Sequence, residues 1–376
     1  MRHIALITTS YPENTPGADA AGSFVEDFAR ELSRHLRVTV LAAGTVDSFA
    51  TDGELRVQRF AVPRLPMSLL NPLLPWHWLP ILRSLRVGRK ALRRLAQDDT
   101  PDHILALWAL PSGYWAQCIA REYGLQYSVW ALGSDIWSLG RVPLVRSVLK
   151  RVLRGAERRF ADGVQLASDV EKLSGRDCGF MPSTRRLPQI GRDLRKVGEP
   201  YKLVFLGRWH ANKGVDLMLD ALTLLTDEDW SRIAELRIYG GGPMHDEVHD
   251  AVRRLREQHR PVVVGAYLGK AAAAELIAWG DYLLLPSRIE SIPVIFSDAM
   301  QLGTAIIATP VGDLPRLFDQ YHFGAIATEV GSAAFAKAIQ AALRQAATNH
   351  EEGLLAARAD FNMDQIVAQF VEEICH

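Results

Sequence analysis

The sequence predicts an α/β protein built from two doubly wound parallel-sheet domains. Three observations carry this expectation. The chain has 376 residues, roughly two to three times a single-domain core. Short apolar runs alternate with helical patterns along nearly all of it, as βαβ units require. A Pro-, Arg- and Gly-containing stretch, MPSTRRLPQIGRDLRKVGEP, separates one such series from the next.

The first series opens on HIALITTS, a short apolar run read as a buried strand. A polar loop follows, then FVEDFARELSRHL, whose Phe24, Phe28 and Leu32 recur at helical spacing. RVTVLAAG, HILALWAL, YSVWALGSD and GVQLAS read as further strands. Residues 1–185 are therefore expected as one domain and 186–200 as a linker. The second series places strands at KLVFLG, LRIYGG, PVVVGA, YLLLPS and AIIAT, with helices such as VDLMLDALTLL and AAAAELIAWG between them. Residues 201–355 form this second domain, and 356–376 end the chain with a helical segment.

Composition narrows the function classes. Lys+Arg and Asp+Glu both number 43, with 48% hydrophobic and 23% charged residues, which fits a globular protein and argues against a disordered chain or a general nucleic-acid binder. The balance hides a split: residues 1–190 carry 25 Lys+Arg against 18 Asp+Glu, and the remainder carries the reverse, 18 against 25. Cys118, Cys178 and Cys375 are few, odd in number and far apart, so neither a disulfide framework nor a zinc cluster is expected, and a reducing, cytoplasmic location fits. Pro12 and Glu13 arrive before an export signal can form. Leu65–Leu82 holds no charged residue, yet Pro66, Pro72, Pro75 and Pro80 interrupt it, which argues against a membrane span and leaves an interfacial or lid segment open.

Two doubly wound domains facing across a cleft would aim the carboxyl ends of both sheets at one ligand, so chemistry is sought just after strands. GRWHANKG follows the first strand of the second domain. Arg208 offers a planar fork of donors and Lys213 a compact ammonium, a pairing suited to a diphosphate, or else merely a cationic surface loop. In YGGGP, Gly240–Gly242 let backbone approach a ligand or make a tight turn. In PSRIESIPVIFSDAM, Glu290 lies in a loop and Asp298 inside a helix; each suits sugar or ribose hydroxyls, or else Glu290 caps the helix and Asp298 faces solvent. In the first domain, Gly22 and Ser23 precede a helix, as a phosphate contact or an ordinary N-cap. Asp135, in GSD, points into the cleft or caps a helix. His245 and His249 share a helix face, but Asp246 stands where a zinc-protease helix has Glu, and a solvated face is expected. Six of nine tryptophans (Trp76, Trp78, Trp108, Trp115, Trp130, Trp137) crowd the first domain, most expected in its core and one or two lining an acceptor pocket.

The series GRWHANKG, YGGGP, PSRIES and DAMQLGTAIIATPVGDLP, in this order, resembles the retaining glycosyltransferases of family 4, which have the GT-B fold of two Rossmann-like domains. The opening strand with Gly22, the central GSD and the final FNMDQIVAQFVEEI are similar too. The resemblance implies a nucleotide-diphosphate sugar, UDP- or GDP-linked, bound in the second domain, an acceptor in the first, no cofactor and no metal. It implies that Arg208 and Lys213 bind the diphosphate and Glu290 the sugar, with Ser291, Ile292, Gly207, Gly240 and Gly241 around the donor. It further implies that Asp298 meets the ribose, that Gly22 reaches the phosphate from the opposite domain, and that the last helix braces the first domain.

Three departures stand out. The family's paired glutamates are here Glu290 and Asp298, so the second reach is one methylene shorter. Leu132 stands where many members have a sugar-contacting His, which makes Asp135 a candidate substitute. Pro293 replaces a common Gly and removes a backbone donor. From Leu55 through Gln97 no acid appears among nine Arg and Lys residues, and RVPLVRSVLKRVLRGAERRF adds a second basic helix. Such faces settle on anionic lipid or remain solvated. The expected activity is retaining, metal-independent transfer to a lipid-linked or growing glycan acceptor, peripheral to the inner face of the plasma membrane. A nucleotide-sugar epimerase and a catalytically silent sugar-nucleotide binder are the alternatives.

Overall fold

A computed structural model describes residues 2–12, 22–188, 190, 198–345 and 350–375. They form two units, Met1–Pro182 with Met363–His376, and Ser183–Asn362.

The first unit is built on an eight-stranded sheet: β1 (His3–Thr8), β2 (Arg37–Gly44), β3 (Ser48–Asp52), β4 (Leu55–Ala61), β5 (His103–Leu107), β6 (Gln126–Ala131), β7 (Arg159–Ala161) and β8 (Gly179–Phe180). Their order is β3-β4-β2-β1-β5-β6-β7-β8, and every pair is parallel except β3 with β4. All six residues of β1 are buried, which a strand covered by helices on both faces demands. Strands are added on one side of β1 and then on the other, so the switch point lies between β1 and β5.

One expected strand is a helix. GVQLAS begins the helix Val164–Ser174, and the strand is the preceding RFA of β7. Leu166, Val170 and Leu173 are buried at helical spacing, and this longer periodicity outweighs the short apolar run.

The domain boundaries also shift. Ser183–Arg185 belong to the second unit, because Thr184 Oγ1 donates to the Phe361 carbonyl at 3.1 Å and the Gln301 amide donates to Thr184 Oγ1 and the Arg185 carbonyl at 2.8 Å each. Residues 356–362 stay there too, where Leu354 and Ala357 of the helix Glu351–Asp360 are buried. The return to the first unit starts at Met363: Phe370 meets Phe28 and Phe160 edge-on at 5.6 and 5.7 Å, and Arg2 donates to the Ile374 carbonyl. Most of the expected linker, 189 and 191–197, lies outside the described residues.

His103 on β5 is fully buried, its Nε2 2.9 Å from Ser128 Oγ. Desolvation lowers its pKa to about 4. The unfolded chain therefore binds a proton below pH 6.5 that the fold refuses, and stability falls as pH drops from 6.5 to about 4, by a limit of about 3 kcal/mol. Thermal unfolding between these pH values should be distinctly flatter in His103→Asn; equal slopes would contradict the assignment. His3 shifts the same way and keeps a residual slope in the variant.

The second unit has a six-stranded parallel sheet: β9 (Tyr201–Arg208), β10 (Ile233–Gly241), β11 (Val262–Gly265), β12 (Tyr282–Leu285), β13 (Ala305–Ala308) and β14 (Gly324–Ile326). The order is β11-β10-β9-β12-β13-β14, which puts the switch point between β9 and β12. The five strands expected from sequence are present, and β14, three residues of GAI, is too short to have shown a pattern.

Candidate functional site

In the second unit, the loops after β9 and β12 meet at the switch point. The first makes a single turn, Ala211–Lys213, in which the Asn212 N–H donates to His210 Nδ1 at 3.1 Å. Gly214 ends it in the left-handed conformation, φ 67°, and a Cβ there would stand 1.8 Å from the Pro286 carbonyl oxygen. Only glycine lets the two loops touch. Arg288 stitches them: its guanidinium forks Asp216 with two 2.8 Å contacts and donates to the Ala211 carbonyl at 2.7 Å.

This stitching brings two expected site residues together. Lys213 Nζ forms an ion pair with Glu290, and Ser287 Oγ donates to the same carboxylate at 3.3 Å. Their side chains are 41% and 14% exposed, so the pair is open to a ligand. Glu290 is therefore a partner of the cation rather than a helix cap. Beneath it, Gly312 has φ 56°, and a Cβ would lie 2.3 and 2.4 Å from the Ser291 and Glu290 carbonyl oxygens. Ser291 Oγ is buried with no hydrogen-bond partner among the described residues. The Ile292 side chain is buried, leaving its backbone for recognition. Pro293 precedes the helix Val294–Leu302, which has no side-chain cap.

Arg208, at the end of β9, is exposed, and its side chain makes no hydrogen bond or ion pair among the described residues. Gly207 and Gly240 face each other in register, as do Arg208 and Gly241. At Gly240, φ 151°, a Cβ would lie 1.9 Å from the Gly207 carbonyl oxygen, so this glycine serves close strand approach. Tyr267 covers Gly241 and donates to its carbonyl at 2.5 Å.

Asp298 lies inside the helix Val294–Leu302. It is fully buried, and Arg185 Nε donates to it at 3.1 Å while the second guanidinium nitrogen also pairs with it. It does not face solvent, because the helix is buried from Phe296 through Met300.

In the first unit, Gly22 caps Ser23–Leu32 at φ 83°, and a Cβ would lie 2.6 Å from the Ser10 carbonyl oxygen. Asp135 is buried and accepts the N–H groups of Ala109 at 2.5 Å and Leu132 at 3.2 Å. Burial raises its pKa to about 6 against those backbone bonds. It clasps the loop after β5, where Trp108 adopts φ 67°. Trp115 and Trp130 are core residues, Trp108 and Trp137 half-buried, and Trp76 and Trp78 exposed. His245 and His249 are exposed with ring centroids 4.3 Å apart, flanking Trp209. No group of three or more metal-capable side chains exists among the described residues.

Gly214, Asp216, Arg288 and Gly312 all stand inside the sequence segments above, yet none carries a chemical signature of its own. Their signal is spatial: each acts on a loop from a different part of the chain.

Residues 200–345 match the family model described as glycosyl transferases group 1. Over that segment, which spans the sheet of the second unit, the chain resembles the group 1 glycosyl transferases. A Bacillus subtilis protein, named provisionally as a teichuronic acid biosynthesis glycosyltransferase, is 26% identical over 63% of this chain and 60% of its own length. The chain thus spans less than two thirds of that relative. Sucrose-phosphate synthase from Thermosynechococcus elongatus superimposes with TM-score 0.73 at 19% identity, over 100% of this chain and 98% of that one. Anabaena HepE in complex with UDP-glucose superimposes with TM-score 0.69 at 16% identity, over the whole of both chains. These likenesses show the fold, which is GT-B.

Proposed function

We propose that this chain is a retaining glycosyltransferase that moves a sugar from a nucleotide-diphosphate sugar to a hydroxyl acceptor, a lipid-linked or growing surface glycan. The observation that carries the reading is the open Lys213–Glu290 pair at the switch point, on the sheet edge that Arg208 terminates. The UDP-glucose held by HepE and the teichuronic acid named for the Bacillus protein support the donor and acceptor classes.

The chemistry follows from charge. As the glycosidic bond loosens, negative charge grows on the leaving diphosphate, and Arg208 and Lys213 lower the barrier by meeting it there. The uncapped amides opening Val294–Leu302 add a partial positive charge. Lys213 turns from Glu290 to phosphate, which frees the carboxylate to accept sugar hydroxyls. In a front-face route the leaving phosphate oxygen takes the acceptor proton, and configuration is retained without a protein nucleophile. Asp298 stays with Arg185 and stiffens the helix behind the amides; a ribose contact would need that pair to part. In the first unit, Gly22 lets its helix start against the Ser10 carbonyl, and Asp135 acts by holding its loop. The reading includes a cytoplasmic location and needs no cofactor.

Glu290→Gln keeps the shape and removes the charge. Turnover should fall by about one to two orders of magnitude, the worth of a charge-assisted hydrogen bond; unchanged turnover would exclude Glu290 from sugar binding. The reading as a whole is tested by thermal shift with UDP, GDP and ADP sugars, where ligand at about 100 times its Kd adds about 2.7 kcal/mol, followed by NMR of the product linkage. An α-linked product from an α-linked donor is expected. An inverted linkage would overturn retention, donor conversion without acceptor would favour an epimerase, and tight donor binding without transfer would favour a silent binder.

A further inference from the structure

The first unit carries an apolar surface on a segment outside the loops that hold Arg208, Lys213 and Glu290. Leu69, Leu73, Trp76, Trp78, Leu79 and Leu82 are all exposed, at 49% to 69%. Isolated exposed apolar residues are ordinary, but six within fourteen residues of chain make a patch. The segment is ordered by its own bonds: Trp78 Nε1 donates to the Pro72 carbonyl, the Leu73 N–H to Asn71 Oδ1 and the Asn71 N–H to His77 Nδ1, each at 2.9 Å. The side chains are thus held outward by a structured loop.

The surroundings are cationic. Arg83, Arg86, Lys90 and Arg94 of the helix Trp78–Asp98 are exposed and make no ion pair among the described residues, whereas Arg89 and Arg93 pair with Glu122. A second basic helix, Pro143–Gly155, runs the same way, because each of the two returns from one parallel strand of the sheet to the next. Trp115 Nε1 donates to the Leu85 carbonyl at 3.0 Å and Gln117 to the Arg151 carbonyl at 2.8 Å, so both basic helices flank Ser112–Tyr123. At the α-helical rise each starts about one turn or more before it. At that shared end Leu144 is 84% exposed, Arg141 and Arg146 lie beside it, and residues 136–156 contain no acid.

We propose that this end of the first unit inserts into an anionic phospholipid bilayer. The tryptophans and leucines enter the interface, where an amphipathic indole is favoured, and the unpaired cations meet the headgroups. A second copy is a poor occupant, because a symmetric contact would bring the same cations together. The proposal stands independently of the transfer reading and supplies the place where that reading's lipid-linked acceptor would be met.

The test is sedimentation of the full chain with vesicles of phosphatidylcholine, alone or mixed with phosphatidylglycerol, together with quenching of tryptophan fluorescence by lipids brominated on the acyl chain. The chain should bind and be quenched only with phosphatidylglycerol present. Trp76→Ser/Leu79→Ser, at exposed positions outside the core, should weaken binding about tenfold or more and abolish most quenching, with its melting temperature and its stabilisation by UDP or GDP unchanged. Equal vesicle affinity of variant and wild type would overturn the proposal. So would failure of the wild type to bind, or a variant that changes only the oligomeric mass in light scattering. In each case intact nucleotide stabilisation would leave the transfer reading standing.

Discussion

Gly214→Ala should destabilise the second unit by more than about 3 kcal/mol and abolish donor binding. Two costs combine. A non-glycine residue at φ 67° costs about 1–2 kcal/mol by itself. The added Cβ would also stand 1.8 Å from the Pro286 carbonyl oxygen, a backbone atom at the end of β12 that cannot swing aside. The loops after β9 and β12 must separate, which draws Lys213 from Glu290 and breaks the Arg288 stitches. Gly124 supplies the control: its φ is 68°, but nothing lies within 4 Å of its Cβ position. Gly124→Ala should therefore cost only the backbone term, about 1–2 kcal/mol. Comparing the two melting temperatures isolates the overlap; equal drops would show that the loops do not depend on this contact.

Lys213→Ala should lower kcat by about two to three orders of magnitude, the effect of removing one preorganised donor from developing negative charge. Its melting temperature should stay within a few degrees, because a partly exposed ion pair contributes little to stability. Glu290 keeps the Ser287 hydroxyl as a hydrogen-bond donor. Lys213→Arg should restore only part of the rate, since a broad planar fork does not reproduce a compact ammonium in a one-turn loop. Steady-state rates with saturating nucleotide sugar separate this from weakened binding: a rise in KM at unchanged kcat would make Lys213 a ground-state contact only.

Much of this was legible in the sequence because the two sheets are parallel and buried, so strands such as HIALIT and KLVFLG stand out as continuous apolar runs between helices. GVQLAS misled because six residues fit either period, and only the spacing to Val170 and Leu173 decides. The loops after β9 and β12 were legible as motifs, since Arg208, Lys213 and Glu290 have chemistry that reads without coordinates. What makes it a site is not: Gly214 against Pro286, Gly312 against Glu290 and Arg288 across to Asp216 are contacts between distant segments. Asp298 and Asp135 were legible as carboxylates but not as buried ones; their partners, Arg185 and the Ala109 amide, come from other elements. Likewise the uncharged run Leu65–Leu82 showed its composition, while its outward-facing side chains emerged only from the fold.

The proposed transfer depends on a nucleoside diphosphate seated on Arg208 and Lys213. Calorimetric titration of UDP, GDP and ADP into the wild type and into Arg208→Ala/Lys213→Ala tests it most directly. One nucleotide should bind the wild type at a single site, with affinity falling as salt rises. The double variant should lose about two orders of magnitude or more, the sum of two charge-assisted contacts. Equal affinity in a folded double variant would contradict the account.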